Sequence, residues 1–100
     1  MTQREKEVLG NIVQVIKRRL APARVILFGS RAKGKARHGS DFDIAVDLRR
    51  PKLEIERKIS DEIDGISGLY TVDLVYLRSV DREFRDLVLK TGKTIYERRN

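Results

Sequence analysis

The chain has 100 residues and no Gly-, Ser- or Pro-rich linker, so we predict a single domain, residues 1–100, with a modest hydrophobic core. It contains no cysteine, which excludes a disulfide framework and a thiolate metal site and favours a cytoplasmic location. The net charge of +7 favours a polyanionic partner, but no aromatic residues interleave with a basic stripe, so direct nucleic-acid binding is not favoured.

Apolar residues in the first twenty positions recur at three- and four-residue spacing, which predicts a helix over Thr2–Leu20 that Pro22 ends. The segment RVILF, residues 24–28, is short, β-branched and apolar on both faces, as is typical of a central strand covered on both sides. We then expect a short helix or turn from Arg31 and a second strand, DFDIAVD, at residues 41–47.

The second half of the chain repeats this alternation. Residues 51–67 carry isoleucines and a leucine at helical spacing, which predicts a second amphipathic helix. YTVDLVYL, residues 70–77, predicts a third strand, and a short helix follows Asp81, a residue type that suits its N-cap. The segment KTIYE, residues 93–97, is expected to add a last short strand or turn.

This order of elements predicts an α+β (mixed α/β) fold, with helices packed on a small mixed sheet. Periodicity leaves the strand order and the strand directions open. Because the apolar runs are only about four residues long, we expect no membrane span and no signal peptide.

Paired carboxylates point to a metal site. Asp41 and Asp43 are two residues apart, so in a strand their side chains project from the same face. Two such anions repel each other unless a cation lies between them, and Mg²⁺ suits hard oxygen ligands. Asp73, mid-strand, is the expected third carboxylate of a site for two Mg²⁺ ions about 3.5 to 4 Å apart. The alternative is that these are edge or turn residues, and we interpret Asp47 as a strand-end or cap residue.

Gly29 and Ser30 end the first strand and open a basic loop. A Gly-Ser step at the end of a buried strand presents backbone N–H groups and a hydroxyl to anionic oxygens, so we expect a triphosphate to bind there. Arg31 is the expected side-chain partner of the triphosphate. We interpret the other basic loop residues as a solvated positive rim, formed by Lys33, Lys35, Arg37 and His38.

The same letters partly match the Gly-x4-Gly-Lys start of a P-loop, with Gly29, Gly34 and Lys35 in register. A P-loop needs Ser or Thr after the lysine to hold Mg²⁺, and this chain has Ala36. The P-loop interpretation is therefore not favoured.

The chain thus carries Gly-Ser, a basic spacer, Ser-Asp-x-Asp and a later strand aspartate, at residues 29–30, 40–43 and 73. This combination resembles the signature of the minimal nucleotidyltransferases, or MNT domains, of the DNA polymerase β-like superfamily, over nearly the whole chain. The resemblance implies a small nucleotidyltransferase fold. It implies that the catalytic and metal-binding residues are Asp41, Asp43 and Asp73. It implies that the nucleotide-binding residues are Gly29, Ser30, Arg31 and Ser40.

The resemblance also implies a reaction and a partner. An acceptor hydroxyl attacks the α-phosphorus of an NTP, expected to be ATP, and pyrophosphate leaves. Family members of this size resemble antitoxins that silence HEPN-domain ribonuclease toxins by transferring AMP to a toxin tyrosine. We therefore expect a HEPN toxin as acceptor, held in a hetero-oligomer or beside an oligomer mate. Two alternatives stay open: an antitoxin that acts by occlusion alone, and a nucleotidyltransferase for a small molecule such as an aminoglycoside.

Overall fold

A computed structural model describes residues 1–34 and 41–99 of the chain. Within these ranges the predicted α+β class is confirmed, with three α-helices and a four-stranded mixed sheet. The elements are α1 (Gln3–Leu20), β1 (Arg24–Phe28), β2 (Phe42–Val46), α2 (Leu53–Ser67), β3 (Val72–Tyr76), a 3₁₀ helix (Leu77–Ser79), α3 (Arg82–Thr91) and β4 (Lys93–Glu97). None of these helices is both long enough and apolar enough to cross a membrane.

The first helix, α1, begins with a capping box. The Thr2 hydroxyl accepts the N–H of Glu5 at 3.1 Å, and the Glu5 carboxylate accepts the N–H of Thr2 at 2.8 Å. The helix ends at Ala21, whose φ of 46° is left-handed, and Pro22 prevents continuation. The predicted helix is therefore confirmed, with Thr2 as its cap.

The sheet has the strand order β3-β2-β1-β4. β1 is antiparallel to both β2 and β4, while β2 is parallel to β3. The described residues from Arg31 to Gly34, where we expected a short helix or turn, form turns. A P-loop strand leads through its loop into a crossover helix and pairs with parallel strands, so the antiparallel pairing of β1 with both β2 and β4 argues against that interpretation.

The two faces of the sheet carry different cores, because successive strand residues point to opposite sides. The main core lies under α1 and α2, and the two central strands contribute Val25, Leu27, Phe42, Ile44 and Val46. The smaller core lies under α3 and consists of Ile26, Ala45, Leu77 and Val88. Asp43 is two residues from Ala45 and therefore lies on the α3 face.

The last helix, α3, is capped and anchored next to that face. As predicted, Asp81 is its N-cap, and the carboxylate accepts the N–H of Phe84 at 3.1 Å. The Phe84 ring packs edge-on against Phe28 at the end of β1, with 5.8 Å between ring centroids. α3 thus covers the β1 side of the face and leaves the aspartates of β2 and β3 accessible, since Asp43 is half-buried and Asp73 is exposed.

Candidate active site

Two of the predicted carboxylates are direct neighbours across the sheet. In the parallel pairing of β2 with β3, Asp43 is the register partner of Asp73. Register partners on adjacent strands, which run about 4.8 Å apart, project from the same face. Both carboxylates therefore emerge on the α3 side of the sheet.

The electrostatics of this pair are unfavourable. Burial raises the pKa of Asp43, and the negative charges of Asp73 and Asp41 raise that pKa further. A hydrogen bond between Asp43 and Asp73 acts in the same direction, because it requires a proton on one of the two carboxyl groups. Asp43 therefore releases its proton less readily than an ordinary aspartate.

The three aspartates do not form a complete metal cage. Throughout residues 1–34 and 41–99, no three Asp, Glu or His side chains are grouped so that they could hold a metal ion. Mg²⁺ is commonly held by only one or two carboxylates together with waters and substrate phosphates, so the donor chemistry of Asp43 and Asp73 fits such an ion. The assignment of Asp41, Asp43 and Asp73 as metal ligands stays a prediction.

Gly29 lies directly against the carboxylate of Asp43. The antiparallel pairing of β1 with β2 places Phe28 opposite Asp43, and Gly29 follows Phe28 in the left-handed region at φ 72°. A Cβ atom on Gly29 would collide with Oδ2 of Asp43 and lie 3.1 Å from its Cγ. Both the backbone conformation and the close approach therefore require glycine at this position.

Ser30 is exposed, one residue beyond this contact. The Gly29 carbonyl accepts the N–H of Lys33 at 3.3 Å, and the Arg31 carbonyl accepts the N–H of Gly34 at 3.4 Å. These bonds curl the backbone into a tight turn next to the carboxylate pair, where we expected a triphosphate. Ser40 lies outside the described residues, as do the rim residues Lys35, Arg37 and His38.

The side chain of Arg31 has a different environment from the one predicted. The side chain is only 1% exposed, and its guanidinium forms an ion pair with Glu5 at 2.9 Å. Its Nε donates to the Asp41 carbonyl at 3.1 Å, and the group stacks on the Phe42 ring, 4.1 Å from the centroid. We expected Arg31 to pair with a triphosphate, and in the structure its enclosed guanidinium contacts Glu5 of α1 and the entry of β2.

Glu5 was not among the residues predicted for the site. The sequence does carry a signal, because Thr-x-x-Glu at positions 2–5 is a capping-box pattern. That pattern predicts where α1 begins but not the pairing of Glu5 with Arg31. The hydrogen bond from the Thr2 N–H lowers the pKa of Glu5 to about 2, and Arg31 contributes to the lowering.

Asp47 lies at the other end of β2. Its carboxylate accepts hydrogen bonds from the Nε of Arg24 at 3.1 Å and from the Nε of Arg78 at 3.2 Å. This agrees with its interpretation as a strand-end residue, and it separates Asp47 from the carboxylate pair.

A known protein family matches most of the chain. The family described as Polymerase beta, Nucleotidyltransferase matches residues 10–100. A Haemophilus influenzae protein named probable protein adenylyltransferase MntA is 34% identical over 89 residues, which cover 87% of this chain and 78% of the relative.

Two solved toxin–antitoxin structures contain chains of similar fold. One is a toxin–antitoxin complex with AMP-PNP, with a TM-score of 0.66 and 27% identity over 90% of this chain and 73% of that chain. The other is a tri-AMPylated Shewanella oneidensis HEPN toxin with an MNT antitoxin, with a TM-score of 0.63, 23% identity and coverage of 93% and 72%. At 23% identity, the similarity to the Shewanella antitoxin complex bears on the fold alone. The small nucleotidyltransferase fold predicted from the sequence is confirmed.

The contact between Gly29 and Asp43 predicts unequal effects of two alanine substitutions. Gly29→Ala and Gly34→Ala both place a side chain at a left-handed φ, 72° and 70°, which costs about 1–2 kcal/mol. Only Gly29→Ala also displaces the Asp43 carboxylate, because a Cβ on Gly34 meets no atom of residues 1–34 and 41–99 within 4 Å. We expect Gly29→Ala to lower the free energy of unfolding by about 1 kcal/mol or more beyond the loss caused by Gly34→Ala. Urea denaturation of both variants measures this difference. Equal losses in the two variants would contradict the contact.

The lowered pKa of Glu5 predicts a dependence of stability on acid pH. Its folded-state pKa of about 2 lies below the ordinary value of 4.5, so its stabilising effect is complete above pH 4.5 and is lost between pH 4.5 and 2. The stability difference between wild type and Glu5→Gln, measured by denaturation at a series of pH values, should therefore shrink across this window. Glu7→Gln is the control, because the Glu7 side chain is 54% exposed and its ion pair spans 3.9 Å. A difference that stays constant down to pH 2 would contradict the prediction.

Proposed function

Since the chain belongs to the polymerase beta nucleotidyltransferase family, we propose that it transfers AMP from ATP to a hydroxyl of a partner protein. One observation carries the proposal: the Asp43 carboxylate lies between Gly29, where the phosphate-binding turn begins, and Asp73 on the neighbouring strand. The predicted binding element and the predicted carboxylates thus meet at one point of the sheet.

Asp43 and Asp73, with Asp41, are the residues that would hold divalent cations, expected to be two Mg²⁺. The raised pKa of Asp43 is consistent with this role, because burial and the negative charges of Asp73 and Asp41 all disfavour its ionised form, which a bound cation would stabilise. Bound Mg²⁺ would supply positive charge to the oxygens of the transferring phosphoryl group. Arg31 is left out of the nucleotide-binding set because its side chain is enclosed against Glu5.

The chain's own residues bind and orient the reactants in this proposal. The turn at Gly29 and Ser30 binds the triphosphate, with Ser40 of the sequence motif as a further ligand. Asp73 accepts the proton of the acceptor hydroxyl as its oxygen attacks the α-phosphorus. A new O–P bond forms, the bond from the α-phosphorus to the bridging oxygen breaks, and pyrophosphate leaves.

The partner in this proposal is a HEPN-domain toxin, and the chain acts as its antitoxin. The support is the protein adenylyltransferase among its relatives and the toxin–antitoxin complex with AMP-PNP among its structural neighbours. The HEPN class of the toxin comes from the resemblance of the sequence motif to the MNT domains. A net charge of +7 suits an acidic partner surface. The two proteins would form a hetero-oligomer in the cytoplasm, where ATP is available.

Replacing each aspartate of the site by asparagine tests the reaction. Asp41→Asn, Asp43→Asn and Asp73→Asn should each lower transfer of label from α-labelled ATP to the co-purified toxin by about 100-fold or more. The matched control is Asp64→Asn, which removes an exposed carboxylate of α2 and should transfer normally. If the site variants also transfer normally, the proposed reaction is wrong. If they lose transfer but protect cells fully, the protein neutralises its toxin by occlusion.

Binding of a metal ion at Asp43 can be tested by measuring thermal stability, without an assay of the transfer reaction. The raised pKa of Asp43 means that its ionised form destabilises the folded state near pH 7. Without divalent cations, Asp43→Asn should therefore be more stable than wild type by about 0.5–1 kcal/mol. At a Mg²⁺ concentration of about 100 Kd the wild type should gain about 2.7 kcal/mol, and its melting temperature should then exceed that of the variant. Equal gains in wild type and variant would remove Asp43 from the metal site.

A further inference from the structure

A buried ion pair joins α1 to the phosphate-binding turn. The side chains of Arg31 and Glu5 are 1% and 4% exposed, and Nη2 of Arg31 lies 2.9 Å from Oε2 of Glu5. Removing a charge from water is unfavourable unless a partner compensates it. Each of these two residues therefore constrains the position of the other.

Arg31 also connects two places in the proposed site. Its backbone directly follows Ser30, while its side-chain Nε donates to the main-chain carbonyl of Asp41 at 3.1 Å. One side chain therefore links the turn to the backbone that leads into β2. The aspartate at the start of that strand and the turn after β1 cannot move apart without breaking this bond.

Two aromatic rings hold the guanidinium plane in place. The Phe42 centroid lies 4.1 Å from Cζ of Arg31 and the Tyr70 centroid lies 5.8 Å away. Phe42 begins β2, and Tyr70 precedes β3 by two residues. The group thus contacts the entries of both strands that carry the paired carboxylates.

The two oxygens of Glu5 have separate partners. Oε1 accepts the N–H of Thr2 at 2.8 Å, which belongs to the helix cap, while Oε2 pairs with Arg31. The cap therefore orients the Glu5 side chain through Oε1, and Oε2 is available to hold Arg31 and with it the turn. Because the cap and the anchor use different atoms, substitutions can separate them.

From these contacts we infer that Glu5 is a positioning residue of the transfer site, acting through Arg31 to hold the Gly29–Ser30 turn and the Asp41 backbone in fixed relation. The inference rests on the proposed function for the meaning of the site. Phosphoryl chemistry depends on such alignment, since a displacement of about 1 Å can lower a rate about 100-fold.

Glu5→Gln and Thr2→Ala separate anchoring from capping. Glutamine keeps the shape of Glu5 and can still complete a capping box, but it removes the charge that faces Arg31. Alanine at position 2 removes the hydroxyl that caps the Glu5 N–H and leaves the ion pair intact. Both variants should lower the melting temperature. A difference between them in nucleotide binding or in hydrogen exchange at the site would therefore not be explained by lost stability alone.

Two measurements on the full chain follow: the Kd for AMP-PNP with Mg²⁺ and amide hydrogen exchange at residues 29–31 and 41–43. Glu5→Gln should weaken AMP-PNP binding about tenfold and speed exchange in both segments about tenfold. Thr2→Ala should change each by less than twofold. Arg31→Lys keeps the charge but loses the planar guanidinium fork, so it should have the same effect as Glu5→Gln. If Glu5→Gln does not fold, Arg31→Lys is used in its place.

Each outcome decides the inference. Equal changes in Glu5→Gln and Thr2→Ala would mean that Glu5 only stabilises the helix end, and the inference would be wrong. Wild-type exchange rates in Glu5→Gln would also overturn it. If the wild type neither binds AMP-PNP nor transfers AMP, the proposed function fails, while the exchange comparison still decides whether Glu5 positions the turn.

Discussion

The parallel pairing of β2 with β3 is the constraint on which the site depends, because it sets Asp43 and Asp73 side by side. Like charges on neighbouring strands destabilise a sheet. The pKa of Asp43 is raised first by burial and then by repulsion from Asp73 and Asp41. The fold can carry this strain because its main core lies on the opposite face, under α1 and α2. One sheet thus separates the residues that stabilise the domain from the residues proposed to do chemistry.

The turn after β1 is fixed on both sides of Ser30. On one side Gly29 packs against Asp43, and on the other Arg31 is buried against Glu5. The exposed serine therefore has a defined position although it begins a surface loop. Sites work when the groups that touch substrate are held by a second layer of contacts, and here that layer reaches as far as the first turn of α1.

The sequence predicts much of this architecture, because local patterns determine it. Apolar spacing and Pro22 locate α1, and the two-residue spacing of Asp41 and Asp43 implies a common face. The order and directions of the strands depend on long-range pairing, so the contact of Asp43 with Asp73 required the structure.

The environment of Arg31 was not predictable for the same reason. An arginine after Gly-Ser suggests a phosphate ligand by its chemistry alone. Its burial depends on Glu5, a residue of a different helix, and on the Phe42 ring. The contacts of Arg31 therefore had to be read from the structure, while the roles of the motif residues stay predictions.

The central position of β1 in the sheet has a consequence for folding during synthesis. β1 pairs on one side with β2 and on the other with β4, so that Arg24 is opposite Glu97. During synthesis at about 5–20 residues per second, β1 leaves the ribosome several seconds before its second neighbour exists. Until then one edge of the strand is unpaired and able to bind other chains. The nascent domain is therefore most prone to aggregation in the interval before its last strand emerges.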